Sequence, residues 1–204
     1  AKAFKPGDEV KIPGAILSLF HLLPPAPAKF LDQLVTVTMD LDAGLPGSAA
    51  GGRFWSQYRE ALLPYINRHA PEAVTYFLDR LQDMRHFRML LSYIKWTGAG
   101  PVRTELAKSG TKLLLVSFEP DKANQAAHHT AAAQAVADAA SKGSAPPPPP
   151  ALPPPLAQQK LAELRVQGIV LIHALVKRMP GWLSTQPAVL GKLVELWQSP
   201  ERKV

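Results

Sequence analysis

Apolar residues recur along most of this chain at steps of three and four, and that period predicts helices rather than strands. Residues 27–43 open with Pro27 at a first helical position. Phe30, Leu31, Leu34, Val35, Thr38 and Leu41 then fall on one face. Upstream, Ile16, Leu17, Leu19, Phe20 and Leu23 mark a shorter helix ended by Pro24-Pro25, and the two read as an antiparallel hairpin. The stretch GLPGSAAGG (44–52) breaks the pattern. Two helices are predicted next, over 55–69 and 71–82, with Pro71 restarting the chain and Glu72 in the first turn. Another follows over 84–96, with Phe87, Leu90, Leu91 and Ile94 on one face, and a short one runs from Val102 to Lys108. The run TKLLLVSF (111–118) is too short and too evenly apolar to assign by period.

The clearest helix covers 157–178. Leu161, Leu164, Gly168, Leu171, Ile172, Leu175 and Met179 form one stripe, and Ile169 and Val176 widen it, so two neighbours are expected. Lys177 and Arg178 suit the negative end of its dipole. The joint MPGWLSTQP (179–187) reads as a corner. Pro180 stops one helix, Ser184 or Thr185 caps the next, and Trp182 plugs the seam between them; its alternative role is an exposed recognition contact. The helix opened by Pro187 is expected to use Leu190, Leu193, Val194 and Trp197 as its face.

Residues 119–158 differ. An alanine-rich stretch leads into SKGSAPPPPPALPPPLAQQ, with few large apolar side chains to bury. A transient helix and then polyproline II are expected there, as an insertion serving as a spacer. The fold class that results is all-α: an irregular α-solenoid of HEAT-like antiparallel helix hairpins, with a disordered Ala/Pro-rich insertion. A closed helical bundle is the alternative. Residues 1–12 read as a flexible N-terminal segment and 13–118 as helical repeat. The insertion takes 119–156, the solenoid continues over 157–199, and 200–204 reads as a cut end.

Composition narrows the function classes. The 204 residues are 47% hydrophobic and carry a formal net charge of +7, which permits acidic partners. Lys and Arg are scattered and form no run of five, so direct nucleic-acid binding is disfavoured. There is no cysteine, hence no disulfide, thiolate nucleophile or Cys-ligated zinc. The N-terminus has no signal-peptide core, and no apolar run approaches the ~18 residues that span a bilayer, so no membrane contact is expected. The chain starts on Ala and stops just after an apolar face, and it reads as a fragment of a longer protein.

Catalytic and cofactor signatures are missing. Gly98-Ala-Gly100 is followed by Pro101, with no preceding strand, and reads as a helix C-terminal turn. His128-His129 are adjacent and cannot share a helix face; His21, His69, His86 and His173 show no carboxylate or second histidine at ligand spacing. Asp40 and Asp42, two apart, diverge on a helix and cannot work as an acid–base pair. No enzyme, cofactor or metal is implied. Candidate partner contacts are Arg80, Arg85, Arg88 and Lys95, with His86, as the lining of a groove for an acidic partner; a solvated helix face is the alternative. Trp182 completes that set.

Three stretches carry a family resemblance: FWSQYREALLPYINRHAPEAVTYFLDRL (54–81), MRHFRMLLSYIKWTGAGPVRTELAKS (84–109) and QGIVLIHALVKRMPGWLSTQPAVLGKLVELW (167–197). With HLLPPAPAKFLDQLV (21–35), they resemble the helical-repeat region of the transformation/transcription domain-associated protein family. The resemblance covers 14–118 and 157–199 and leaves out the Ala/Pro tract. It implies a slice of HEAT repeats from a very large relative of the phosphatidylinositol-3-kinase-like kinases, whose kinase-like domain has lost catalytic residues. It implies a nuclear scaffold of histone acetyltransferase complexes such as SAGA. The partners it implies are the other subunits of such a complex and acidic transcriptional activators. Alternatives are a nucleic-acid-binding repeat protein, or the repeat region of an active kinase of the same superfamily. Solenoid repeats bury their faces only against neighbours, so the chain by itself is expected to expose apolar edges and to be aggregation-prone or partly molten.

Overall fold

Most helix ends have a local cause. The computed structural model describes residues 30–44, 56–141 and 156–198; the hairpin partner expected over 16–23 and the prolines of 145–155 lie outside them. Helix α1 (Leu31–Ala43) buries Leu31, Leu34, Val35, Thr38 and Met39, close to the expected face. Helix α2 (Gln57–Arg68) starts at Ser56, whose Oγ accepts from the Arg59 amide at 3.1 Å. Pro64 sits inside α2 without breaking it. The carbonyl it leaves without a donor belongs to Glu60, and both residues are exposed to water. Helix α3 (Ala70–Asp79) carries Pro71 in its first turn, and α4 (Met84–Lys95) is capped by Asp83, whose Oδ1 accepts from the Arg85 amide at 2.8 Å. Helices α5 (Gly100–Lys108) and α6 (Gly110–Phe118) follow, so the run left open by its period is helical.

The insertion reading needs a correction. Its first half is a regular helix, α7 (Pro120–Ser141), instead of disordered chain. Alanine has the highest intrinsic helix propensity, and Pro120 and Asp121 suit a first turn. Little of it is packed: Ala126, Thr130, Ala131, Gln134 and Val136 are all exposed. Helix α8 (Gln158–Arg178), a 3-10 turn (Trp182–Thr185) and α9 (Pro187–Gln198) complete nine α-helices among the described residues, with no strand there. The fold is an all-α HEAT-type solenoid.

The most extensive contacts are α6 with α8, α3 with α5, α4 with α8, and α1 with α2. Helix α4 is buried along most of its length: from Phe87 to Ile94 every residue but Arg88 is buried. Helix α8 packs on two neighbours, α4 and α6, as its wide stripe implied. The crossing with α6 is close: a Cβ built on Gly168 would lie 2.5 Å from Ser117 Cβ. Of the stripe, Leu164, Gly168, Leu171, Ile172 and Leu175 are buried, whereas Ile169 is 45% exposed and does not widen it.

At the corner, Gly181 takes φ +86°, a left-handed turn that favours glycine. Ser184 and Thr185 do not cap α9. Their hydroxyls donate back to the carbonyls of Gly181 and Trp182, at 2.6 and 2.7 Å, and close the 3-10 turn instead. The face of α9 is also rotated from the expected one. Val189 is buried with Leu193 and Leu196 half-buried, while Leu190, Val194 and Trp197 point outward. The helix is apolar on two adjacent strips, and period alone does not say which faces the core.

Candidate functional site

Helix α1 carries three aspartates that meet arginines from three other positions in the fold. Asp32 pairs with Arg80 at 3.4 Å, and the Arg80 guanidinium lies 3.9 Å above the Tyr76 ring. Asp40 pairs with Arg85 and Asp42 with Arg59, each at 2.6 Å. The divergence expected of Asp40 and Asp42 is what lets one helix engage two arginines. The Arg59–Asp42 side chains are only 13% and 12% exposed, and Ser56 Oγ donates to the second Asp42 oxygen. That pair sits in the seam between α1 and α2. The other two are open to water, where such pairs contribute about 0–1 kcal/mol.

His86, on α4, faces α3 instead. Its Nδ1 lies 2.9 Å from Asp83 Oδ2 and its Nε2 3.2 Å from the Tyr76 hydroxyl, which donates to Asp32 at 2.9 Å. The sequence reading found no carboxylate at metal-ligand spacing from His86, but a carboxylate is its hydrogen-bond partner. Asp83 stands three residues upstream, a spacing that puts both on one helix face, and the signal was available. Burial pushes the Asp83 carboxyl up, but the Arg85 amide and the His86 ring outweigh it and hold it below its ordinary value. Burial and the hydrogen bond to Asp32 push the Tyr76 phenol well above its ordinary value.

The basic candidates do not form one groove. Arg80 and Arg85 are each held by a carboxylate of α1. Lys95 is ten residues beyond Arg85, about 15 Å along α4 at 1.5 Å per residue. Arg88 is exposed and makes no ion pair among the described residues. Trp182 is 6% exposed, so its recognition role is corrected. Its Nε1 donates to the Ala107 carbonyl at 2.9 Å, so it plugs the corner against the end of α5. A cluster that escaped sequence reasoning lies at the C-terminal end of α4. Arg103 donates to the carbonyls of Trp96 and Thr97, and Arg178 to that of Lys95. Burial first, then the neighbouring Arg178, pull the Arg103 guanidinium down from its ordinary value. Its trace in sequence was slight: Arg178 is a basic residue in a last turn, whereas Arg103 lies near the start of α5.

Two open grooves flank α6. One, of about 650 Å³, has Leu78, Leu81, Leu115 and Leu164 in its lining and α7 along one side. The other, of about 340 Å³, separates α6 from α9. Their titratable groups are already paired: Asp79 with Lys112, Glu119 with Lys122, and Lys192 with Glu195. Neither groove presents an acid–base pair. Among the described residues no group of three His, Asp or Glu gathers to hold a metal, and no helix is long and apolar enough to cross a membrane.

The geometry is that of helices packing on helices, and sequence comparison says which ones. The sequence model of the Tra1 HEAT repeat ring region matches residues 1–204, including the Ala/Pro tract that the resemblance had left out. The chain is 28% identical over 194 residues to the transformation/transcription domain-associated protein of Homo sapiens, covering 94% of the chain and 4% of that protein. It is 27% identical over 195 residues to the Mus musculus protein of the same name, covering 95% and 6%. With a probable transcription-associated protein 1 of Dictyostelium discoideum the identity is 24% over 199 residues, 97% of the chain and 3% of that protein. The chain thus spans between 3% and 6% of the length of these relatives. No solved structure matches it significantly. The chain belongs to the family of the Tra1 HEAT repeat ring region.

Proposed function

We propose that this segment is a non-catalytic part of a transcription coactivator scaffold, acting in the nucleus within a histone acetyltransferase complex such as SAGA. Its parent carries a kinase-like domain without catalytic residues elsewhere in the chain. Support comes from the names of its relatives and from one observation above all. Helix α9 has a second apolar strip, Leu190, Val194 and Trp197, which are 45%, 46% and 74% exposed. A solenoid helix with two apolar strips meets a neighbour on each. The inner strip lies on α6, and the outer one awaits the next repeat of the longer polypeptide. Arg88 and Lys95 are exposed on α4 and are the residues of the basic set to which we assign contacts with acidic activator segments.

The full-length protein, purified from its own cells, is expected to bring histone acetyltransferase activity with it and to show no kinase activity of its own. Hydroxyl-radical footprinting is expected to find Leu190, Val194 and Trp197 protected there and labelled in the isolated segment. Purification without acetyltransferase activity overturns the coactivator reading. Equal labelling in both samples overturns the repeat interface.

A further inference from the structure

We propose that the C-terminal ends of α4 and α8 form a basic rim that docks an acidic peptide segment of another protein, one with apolar residues among its carboxylates. This rests on the reading of the segment as a contact for acidic partners, and it shifts the centre of that contact from Arg88 to the helix ends. The cations are far apart in the sequence, and the fold gathers them. Arg178, in the last turn of α8, donates to the Lys95 carbonyl. Arg103, in the first turn of α5, donates to the carbonyls of Trp96 and Thr97, the latter at 2.9 Å. Two guanidinium groups are thus held over consecutive carbonyls, near enough for Arg178 to act on Arg103 through space. Lys177 adjoins Arg178 and is exposed.

Capping alone does not account for this charge. Each helix C-terminus carries about half a negative charge, so two ends set against three full cations leave an excess of about two. Arg103 also stands at the positive end of α5, where a helix disfavours a cation. No Asp or Glu occurs in 94–104 or 173–186. Among the described residues Arg103, Lys177 and Arg178 form no ion pair, and Glu105, just beyond, is held by Lys108 at 3.0 Å. Apolar groups are interleaved with the charge: Trp96 and Met179 are half-buried against the core, and Pro180 is exposed. Proteins that hold a nucleic-acid backbone by charge typically use about 6–10 phosphate contacts. Three cations fall short of that, and an indole and a thioether give a phosphate no partner. A peptide carrying about three carboxylates and a few apolar side chains matches both features.

Photo-cross-linking on the full-length protein tests this. The probe is a synthetic peptide that alternates aspartate with leucine and carries one photoreactive phenylalanine. Cross-links are expected at Trp96 and Met179 and their neighbours. Lys177→Glu with Arg178→Gln, which keeps an N–H donor for the Lys95 carbonyl, is expected to lower their yield about tenfold. Lys122→Glu with Lys160→Glu removes at least as much charge at the root of α7 and the opposite end of α8, and is expected to change the yield less than about twofold. Equal losses in the two variants overturn the proposal. Cross-links confined to the surroundings of Arg88 overturn it and leave the acidic-partner reading standing, whereas a full-length chain that does not bind the peptide overturns both. Loss of the rim cross-links on adding duplex DNA, at concentrations where polyglutamate has no effect, overturns it in favour of a nucleic-acid contact.

Discussion

Helices α7 and α8 are neighbours in the chain and nearly equal in length, 22 and 21 residues, yet only α8 is built into the body. By intrinsic propensity the ranking would be reversed. Helix α7 is rich in alanine, whereas α8 contains Gly168 and the β-branched Val166, Ile169, Val170 and Val176. Packing decides the difference. Helix α8 buries Leu164, Leu171, Ile172 and Leu175 between α4 and α6. Helix α7 has mainly alanines to offer, so it lies beside the 650 Å³ groove without filling it. It is attached at its root: Pro120 is buried, and Asp121 Oδ1 accepts from the Leu156 amide at 3.3 Å. The chain leaves and returns at one point, and closing a longer loop adds little entropy cost. That is how an excursion of this composition is tolerated between α6 and α8, which pack on each other regardless.

The contrast is broken most severely on the α8 side. Leu171 is fully buried, so Leu171→Ala is expected to lower the unfolding free energy by about 3 kcal/mol, read as a drop in the urea midpoint. Gly168→Ala comes next. Alanine gains about 1 kcal/mol over glycine in a helix by propensity. Here the new Cβ would lie 2.5 Å from Ser117 Cβ, and overpacking of that kind costs about 1–3 kcal/mol. A net loss of about 1 kcal/mol is expected from these opposed terms. An unchanged or raised midpoint would show that α6 moves aside and that the close crossing is not rigid.

What could be read in advance follows the same division. Along α1, α4 and α8 the period located core residues: Leu34, Val35, Phe87, Leu90, Ile94, Leu171 and Leu175 are all buried. Where a helix is apolar on two strips, as in α9, the period found the helix and missed its orientation, because orientation depends on which neighbour arrives first. The seam at α1 was legible only in part. The divergence of Asp40 and Asp42 follows from helix geometry, but their arginines come from α4 and α2, and no local pattern announces such pairs. The capping roles given to Ser184 and Thr185 failed because the 3-10 turn took both hydroxyls for itself.

The mildest global effect is expected on α7, where the local one is large. Ala131 is exposed in the middle of that helix, and proline there removes a backbone donor and clashes with the preceding turn, at about 3 kcal/mol of helix stability. If α7 is tied to the body only at its root, Ala131→Pro abolishes helix beyond the break and leaves the rest intact. Far-UV circular dichroism is then expected to lose signal at low temperature, while the urea midpoint of the body moves by less than about 0.5 kcal/mol. A midpoint shift close to the full helix cost would mean that α7 folds cooperatively with α6 and α8. The alanines along the groove would then contribute packing that their exposure does not reveal, and α7 would be as much a part of the solenoid as α8.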